Sequence, residues 1–354
     1  MLLGARILES WMLGRASELL CRPGTMLLQS WYEECMRAAA REERMMRTVW
    51  TIVAVCACLV LGACGQGTAN VSETAEVEEA PLTRKPLNDY SWAELKEISE
   101  RISAAENQEA GRAIAQEFGI VEEDGSLTRQ LKQIVLDGTR ALDVRVAGIR
   151  HDFKGDGSGW AGLSFMTDGA LVIRPMNDTA TVEGGWEASA LRAWLDTEGM
   201  AMLEDDLASV IVPVDKPTNN IGRTDSMGSV TVTKDRLFVF SAHEVCGDVH
   251  WDSEEFRQRR GYEDIDGILN SEGDQYECFT QAHVTYNSDP EGFLSLADTT
   301  GTSPWWYRSA YPFEFWGKGE TGTAGYFFQV RESGYPESLG SPEVPASVVI
   351  GFNI

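Results

Sequence analysis

Histidine is scarce in this chain of 354 residues: there are four, and none are clustered as ligands to a shared metal would be. His243-Glu244 begins like the zinc motif H-E-x-x-H, but Gly247 stands where the second histidine is required. The G-x-S-x-G elbow of serine hydrolases, the phosphate-binding P-loop and the glycine fingerprint of dinucleotide folds are also missing. Basic residues are few, with 30 Lys and Arg against 55 Asp and Glu, for a formal charge of −25. That balance excludes the basic surface that neutralises nucleic-acid phosphates, and it excludes attachment to anionic lipid by charge alone. Cysteine is sparse too: seven in all, five of them before residue 65.

What is present begins with an address. Arg44 and Arg47 precede the uncharged apolar run Thr48–Gly62, and Leu61-Gly62-Ala63-Cys64 closes it. Positive charge, apolar run and small residues follow in the order of a secretory signal peptide. The run is shorter than the roughly 20 residues a membrane-spanning helix needs. Its ending resembles the lipobox of bacterial lipoproteins. The resemblance implies that Cys64 receives a diacylglyceryl group and becomes the mature amino terminus, held on the outer face of the cell membrane. Residues 46–63 are then the signal peptide, and residues 1–45 precede the real start at Met45 or Met46. Segment 1–63 is nearly balanced in charge, so the acidity belongs to the exported part. Residues 64–88, rich in Thr, Ala, Glu and Pro, read as a flexible tether.

A helical neck is expected over residues 89–137. Ser91 with Glu94 three residues on makes a capping box, and Trp92, Leu95, Ile98 and Ile102 fall on one stripe. A second helix, Glu109–Phe118, stops at Gly119. A third is expected after Thr128, with Leu131, Ile134 and Val135 inward. Helices packed directly on the following domain are the alternative to a neck.

From Gly138 the period changes to two. Leu142, Val144 and Val146 alternate with Asp143 and Arg145, the pattern of a half-buried strand. Strands are also expected at 161–167, 170–176, 326–331 and 346–352, with a hairpin joining 230–233 to 237–241. Between them, Gly184–Val214 sets Trp186, Ala190, Leu191, Trp194 and Leu195 at helical spacing, followed by Met200, Leu203 and Leu207 on a second short helix. Each large apolar side chain buried there contributes roughly 1.5–3 kcal/mol. Residues 138–354 therefore read as a single α+β domain with antiparallel strands around a tryptophan-rich helix.

Several segments of this domain carry a family resemblance. They are GIRHD, DGSG and AGLSF within 148–165, GGWEASALRAWL at 184–195, DLASVIVPV followed by Lys216 and TNN, Asp235–Phe238, Glu244-Val245, and WWYRS at 305–309. In this order they are similar to the bacterial domain of unknown function 6273. Two departures stand out: Tyr307 and Ala310 in the block the family usually writes WWLRSP, and the altered pattern around Val344–Phe352. The resemblance implies a mixed α+β domain, similar to C-type-lectin-like folds, on an exported or surface-attached protein. It supplies no activity.

Candidate sites follow from residue chemistry. Asp152, Asp156, Gly157 and Ser158 form an oxygen-rich turn of the kind that suits calcium, and the same residues also serve a tight turn without metal. The EF-hand pattern fails at Lys154 and Leu163. Glu263, Asp264 and Asp266, with Glu272 and Asp274 beyond, make a second acidic stretch. Cys246 and Cys278 are expected to pair in an exported domain, and closing a loop of about thirty residues stabilises by roughly 3 kcal/mol. Trp305 and Trp306 read as core, in which case Arg308 bonds buried carbonyls. Tyr311, Phe313, Phe315 and Trp316 read as an exposed aromatic loop able to stack on sugar or anchor a protein partner. The features point to a non-catalytic surface lipoprotein that binds glycan or protein and needs no cofactor, calcium excepted. The alternative is an exported hydrolase acting on carbohydrate or cell-wall material through paired carboxylates.

Overall fold

The computed structural model describes residues 82–224, 226–250, 265–287, 303–312 and 325–354. Cys64, the signal and most of the tether lie outside the described residues, as do Glu263, Asp264, Phe313, Phe315 and Trp316.

Helix α1, Trp92–Ser103, opens on the expected capping box: the Ser91 hydroxyl accepts from the Glu94 amide at 3.2 Å, and the Glu94 carboxylate accepts from the Ser91 amide at 2.7 Å. Its stripe of Trp92, Leu95, Ile98 and Ile102 is buried. Helix α2, Gln108–Glu117, follows behind an Asn107 cap. These helices do not stand apart as a neck. Ala80–Ile354 is one compact unit, and the Trp92 ring lies edge-on to Phe165 at 5.5 Å and to Phe352 at 6.0 Å. Gly162 allows this approach, since a Cβ there would meet the Ser99 carbonyl at 2.0 Å. An apolar stripe looks the same in sequence whichever surface covers it.

The expected third helix is a strand. Lys132–Leu136 (β1) pairs antiparallel with Arg140–Ile149 (β2). Asp137 and Gly138, with φ of 50° and 68°, supply the positive pair that a type I′ turn requires. Lys132, Ile134 and Leu136 point inward with period two. The Lys132 ammonium donates to the Tyr90 carbonyl at 2.5 Å and to the Asn88 carbonyl at 3.4 Å, with the Trp92 ring centroid 4.9 Å away.

Among the described residues, two five-stranded sheets and a ribbon make a mixed α+β domain. The first sheet runs β1-β2-β3-β12-β7, all antiparallel, with β3 at Leu163–Thr167, β7 at Leu237–Val239 and β12 at Ile350–Asn353. The second runs β10-β9-β8-β11-β4. Its strands are Ser338–Gly340 (β10), Phe327–Val330 (β9), Trp305–Ala310 (β8), Ala346–Val348 (β11) and Val172–Arg174 (β4). Only β8 and β11 pair in parallel within it. The ribbon is Val214–Asn219 (β5) against Val230–Asp235 (β6). No helix among the described residues is long and apolar enough to cross a membrane.

Two expectations are corrected here. Residues 230–241 do not form a hairpin: β6 pairs with β5, and β7 pairs with β12. Asp235 is the reason, because its buried carboxylate accepts from Trp186 Nε1 at 2.8 Å, Arg192 Nε at 2.6 Å and Thr233 Oγ1 at 2.7 Å. That anchoring separates the two strands into different layers. The tryptophan-rich helix is also shorter than its periodicity suggested. Helix α3 covers Ala190–Trp194 and continues as a π turn through Leu195–Gly199. Trp186 lies in the turn before it, and half-buried Trp194 packs under the Arg174 guanidinium at 4.6 Å. Short helices at Asp205–Ala208 (α4), Ala242–Cys246 (α5), Ile265–Leu269 (α6) and Glu277–Gln281 (α7) complete the α-helices among the described residues.

Candidate functional site

The densest polar chemistry lies at the centre, between the ribbon and the two sheets. Lys216 is the starting point. The alternation of β5 buries Val214, Lys216 and Thr218 on one side, so the pleat carries a lysine inward with no solvent exposure. A buried ammonium is costly unless each of its three protons has an acceptor. Lys216 Nζ meets Asp152 Oδ1 at 2.8 Å, Glu244 Oε1 at 3.0 Å and Tyr276 Oη at 2.6 Å. The Phe238 ring closes the remaining side, with its centroid 3.8 Å from Nζ.

Each partner is fixed in turn. Asp152 follows β2, and its Oδ2 accepts from Tyr276 Oη at 2.5 Å and Asn353 Nδ2 at 2.9 Å. Glu244 is held by the capping box of α5, in which its Oε2 accepts from the Ser241 amide at 3.1 Å. The same carboxylate takes both outer nitrogens of Arg308, one of them at 2.9 Å, in a two-pronged ion pair. Arg308 spends its remaining donors on Thr218 Oγ1 at 2.7 Å and on the carbonyls of Val239, Pro217 and Glu272. The expectation that Arg308 bonds buried carbonyls is met, with a carboxylate added. Glu272 closes the cluster by accepting from the Asn219 amide at 2.8 Å and from the Ser309 hydroxyl.

The electrostatics divide the three acids. Burial opposes the charged form of Asp152, yet Lys216 and His151 hold its carboxyl below the ordinary range. Burial likewise opposes Glu244, and Arg308 and Lys216 together bring it below its ordinary value. Glu272 goes the other way: burial outweighs its hydrogen bonds and pushes it up to about 7. Burial also lowers His151, whose ring stacks on Tyr276 with centroids 3.7 Å apart. Two cations and two firm carboxylates therefore balance in the interior, with Glu272 as the group that titrates near neutrality.

Asp152 belongs to this cluster and not to a calcium site. Both its oxygens are taken by protein donors, whereas Asp156 sits in an exposed turn and accepts from the Ser158 amide at 2.9 Å. The two carboxylates do not converge, and among the described residues no three His, Cys, Asp or Glu side chains do so as a metal site requires. The expected disulfide is not formed. Cys246 and Cys278 are free, the first with its sulfur 3.5 Å from Tyr307 Oη and the second 3.9 Å from the Met166 sulfur. Burial pushes both thiols up to about 12. Trp305 and Trp306 are core, as read. Tyr311 is a correction: it is buried, its amide bonds the Tyr326 carbonyl at 2.7 Å and its ring meets Phe328 edge-on at 5.8 Å. The strand pairing that continues past β8 pulls it inside.

Sequence reasoning missed Lys216, Tyr276 and Asn353 as site residues, and it read Glu272 only as part of a second acidic stretch. One signal was available, since a cation in an otherwise aromatic or apolar strand, such as Arg308 after Trp-Trp-Tyr, demands a buried partner.

Residues 164–334 match the family described as Domain of unknown function (DUF6273). That span contains Lys216, Glu244, Glu272, Tyr276 and Arg308, while Asp152 and Asn353 lie on either side of it. No curated protein and no solved structure matches the chain.

Proposed function

We propose that this DUF6273 chain is a surface lipoprotein, exported and anchored through Cys64, whose domain binds a glycan or protein outside the cell without catalysing a reaction. One observation carries the reading. The ionisable cluster of the domain, from Asp152 to Arg308, is sealed inside and saturated with its own hydrogen bonds, so it presents no acid pair to a substrate. Phe313, Phe315 and Trp316 fall in the connection between β8 and β9, whose ends are tied by the Tyr311–Tyr326 bond. A rigid, paired stem under an aromatic connection is a suitable mount for recognition. The lipobox and the Thr/Glu-rich tether support the address. The return of β12 into the sheet beside β3, with α1 packed over both, supports a C-type-lectin-like arrangement.

The test is a glycan array probed with the Cys64→Ser chain, in calcium and in chelator. Saturable binding that Trp316→Ala abolishes is the expected result. Absence of binding in both conditions overturns the glycan reading and leaves a protein ligand. Lipid attachment is checked separately by labelling cells with a fatty-acid probe, where Cys64→Ser is expected to lose the label.

A further inference from the structure

We propose that the side chains of Lys216 and Asp152 condense to an amide, with Glu244 as the general base, so that the domain carries an internal covalent cross-link between the end of β2 and the ribbon. The proposal rests on four side chains already placed about the Asp152 carboxyl, Lys216, Glu244, Tyr276 and Asn353, and stands apart from the ligand-binding reading.

Lys216 Nζ is the nucleophile, 2.8 Å from Asp152 Oδ1 and therefore in contact with the carboxyl group it would attack. Glu244 Oε1 lies 3.0 Å from the same nitrogen, within reach of the protons that must leave it. On the other side of the carboxyl, Tyr276 Oη at 2.5 Å and Asn353 Nδ2 at 2.9 Å both donate to Asp152 Oδ2. That is the arrangement of an oxyanion hole: two fixed donors on the oxygen that gains negative charge. The site is also dry, with Lys216 fully buried and Phe238 at 3.8 Å from Nζ. Condensation releases water, so a cavity that excludes it favours the amide.

The step balances without any co-reactant. The Lys216 ammonium passes a proton through the Glu244 carboxylate to Asp152 Oδ1, and the freed nitrogen pair attacks Cγ of the now neutral carboxylic acid. Negative charge gathers on Oδ2 against Tyr276 and Asn353. A second proton leaves nitrogen by the same route, and Glu244 delivers it to Oδ1, which then carries both hydrogens of the departing water. The Cγ–Oδ1 bond breaks and water departs. Nitrogen keeps one hydrogen, Glu244 ends ionised as it began, and nothing is oxidised or reduced. Arg308, paired in two prongs with Glu244, holds the base in position throughout.

An ordinary buried ion pair predicts the same distances, so the test reads mass. The full chain is purified, denatured, digested and examined by mass spectrometry. The expected product is one branched peptide joining the segments that hold Asp152 and Lys216, lighter than their sum by one water. Two separate peptides at full mass overturn the proposal, whatever any variant does. Asp152→Asn provides a second readout, because the same attack then expels ammonia and the branched peptide changes its mass deficit to match. A water-sized deficit in that variant places the link elsewhere and also overturns the proposal. Glu244→Gln, in protein shown to be folded by circular dichroism, is expected to leave the segments unjoined; a full yield of link there removes Glu244 from the step.

Discussion

Phe352 and Asn353 are neighbours on β12, and they close the same sheet by opposite chemistry. Phe352 stacks on Phe165 at 5.4 Å and 11°, with Trp92 edge-on to both. Asn353 turns to the other face, where it donates to Asp152 and accepts from Ser164 at 2.5 Å. The aromatic face is held by area and dispersion, which are lost by degrees. The ionic face is held by mutual neutralisation, so removal of one member leaves the others charged and dry. The two faces should therefore fail differently.

The largest effect is expected on the ionic face. Glu244→Ala takes the carboxylate from both Lys216 and Arg308 and should cost about 3–5 kcal/mol, read as a shift of the urea midpoint. A loss as small as that of an exposed residue would erase the distinction between the faces. Next comes a pH dependence that only the ionic face can show. Glu272 is raised from 4.5 to about 7, so the folded state keeps a proton that the unfolded chain releases across that window. Its contribution is complete below the unfolded value and disappears as pH rises to about 7, a change on the order of 3 kcal/mol. Glu244, held low, acts in the opposite sense: its contribution is present at neutral pH and is lost under acid. Glu272→Gln keeps the acceptor for Asn219 and should flatten the slope above the ordinary carboxylate range, while leaving the acid limb in place. An unchanged slope would assign it to another group.

On the aromatic face, Phe352→Leu should cost about 1–2 kcal/mol with no change in pH profile. A new pH slope in this variant would show that the two faces are coupled through β12. The smallest expected effect concerns the cysteines, which share neither chemistry. Reductant should not move the melting temperature, and the buried Cys246 thiol should react with a thiol reagent only after unfolding. A lower melting temperature in reductant would restore the disulfide.

Much of the aromatic face was legible in the sequence and almost none of the ionic face. The stripe of α1 and the alternation of Leu142, Val144 and Val146 state a period, and period is local. Residues 131–136 show its limit, because Leu131, Ile134 and Val135 fit a helical stripe, while the strand that forms buries Lys132, Ile134 and Leu136. Asp152 and Asp156 look interchangeable in a Gly-rich stretch. They differ through residues 64, 124 and 201 positions away, Lys216, Tyr276 and Asn353. The cysteines mislead for the same reason, since spacing says nothing of direction.

The place of β12 has a consequence for biosynthesis. Residues 350–353 slot between β3 and β7, strands separated from them by most of the domain. While the ribosome is still making residues 240–345, β3 and β7 exist with their inner edges bare, and Asp152 waits without Asn353. Such edges invite pairing with other chains. A chain that pauses or is clipped before Ala346 would therefore be sticky as well as incomplete. Export of the whole polypeptide before folding would avoid that hazard, since no half-built sheet would then face the crowded interior of the cell.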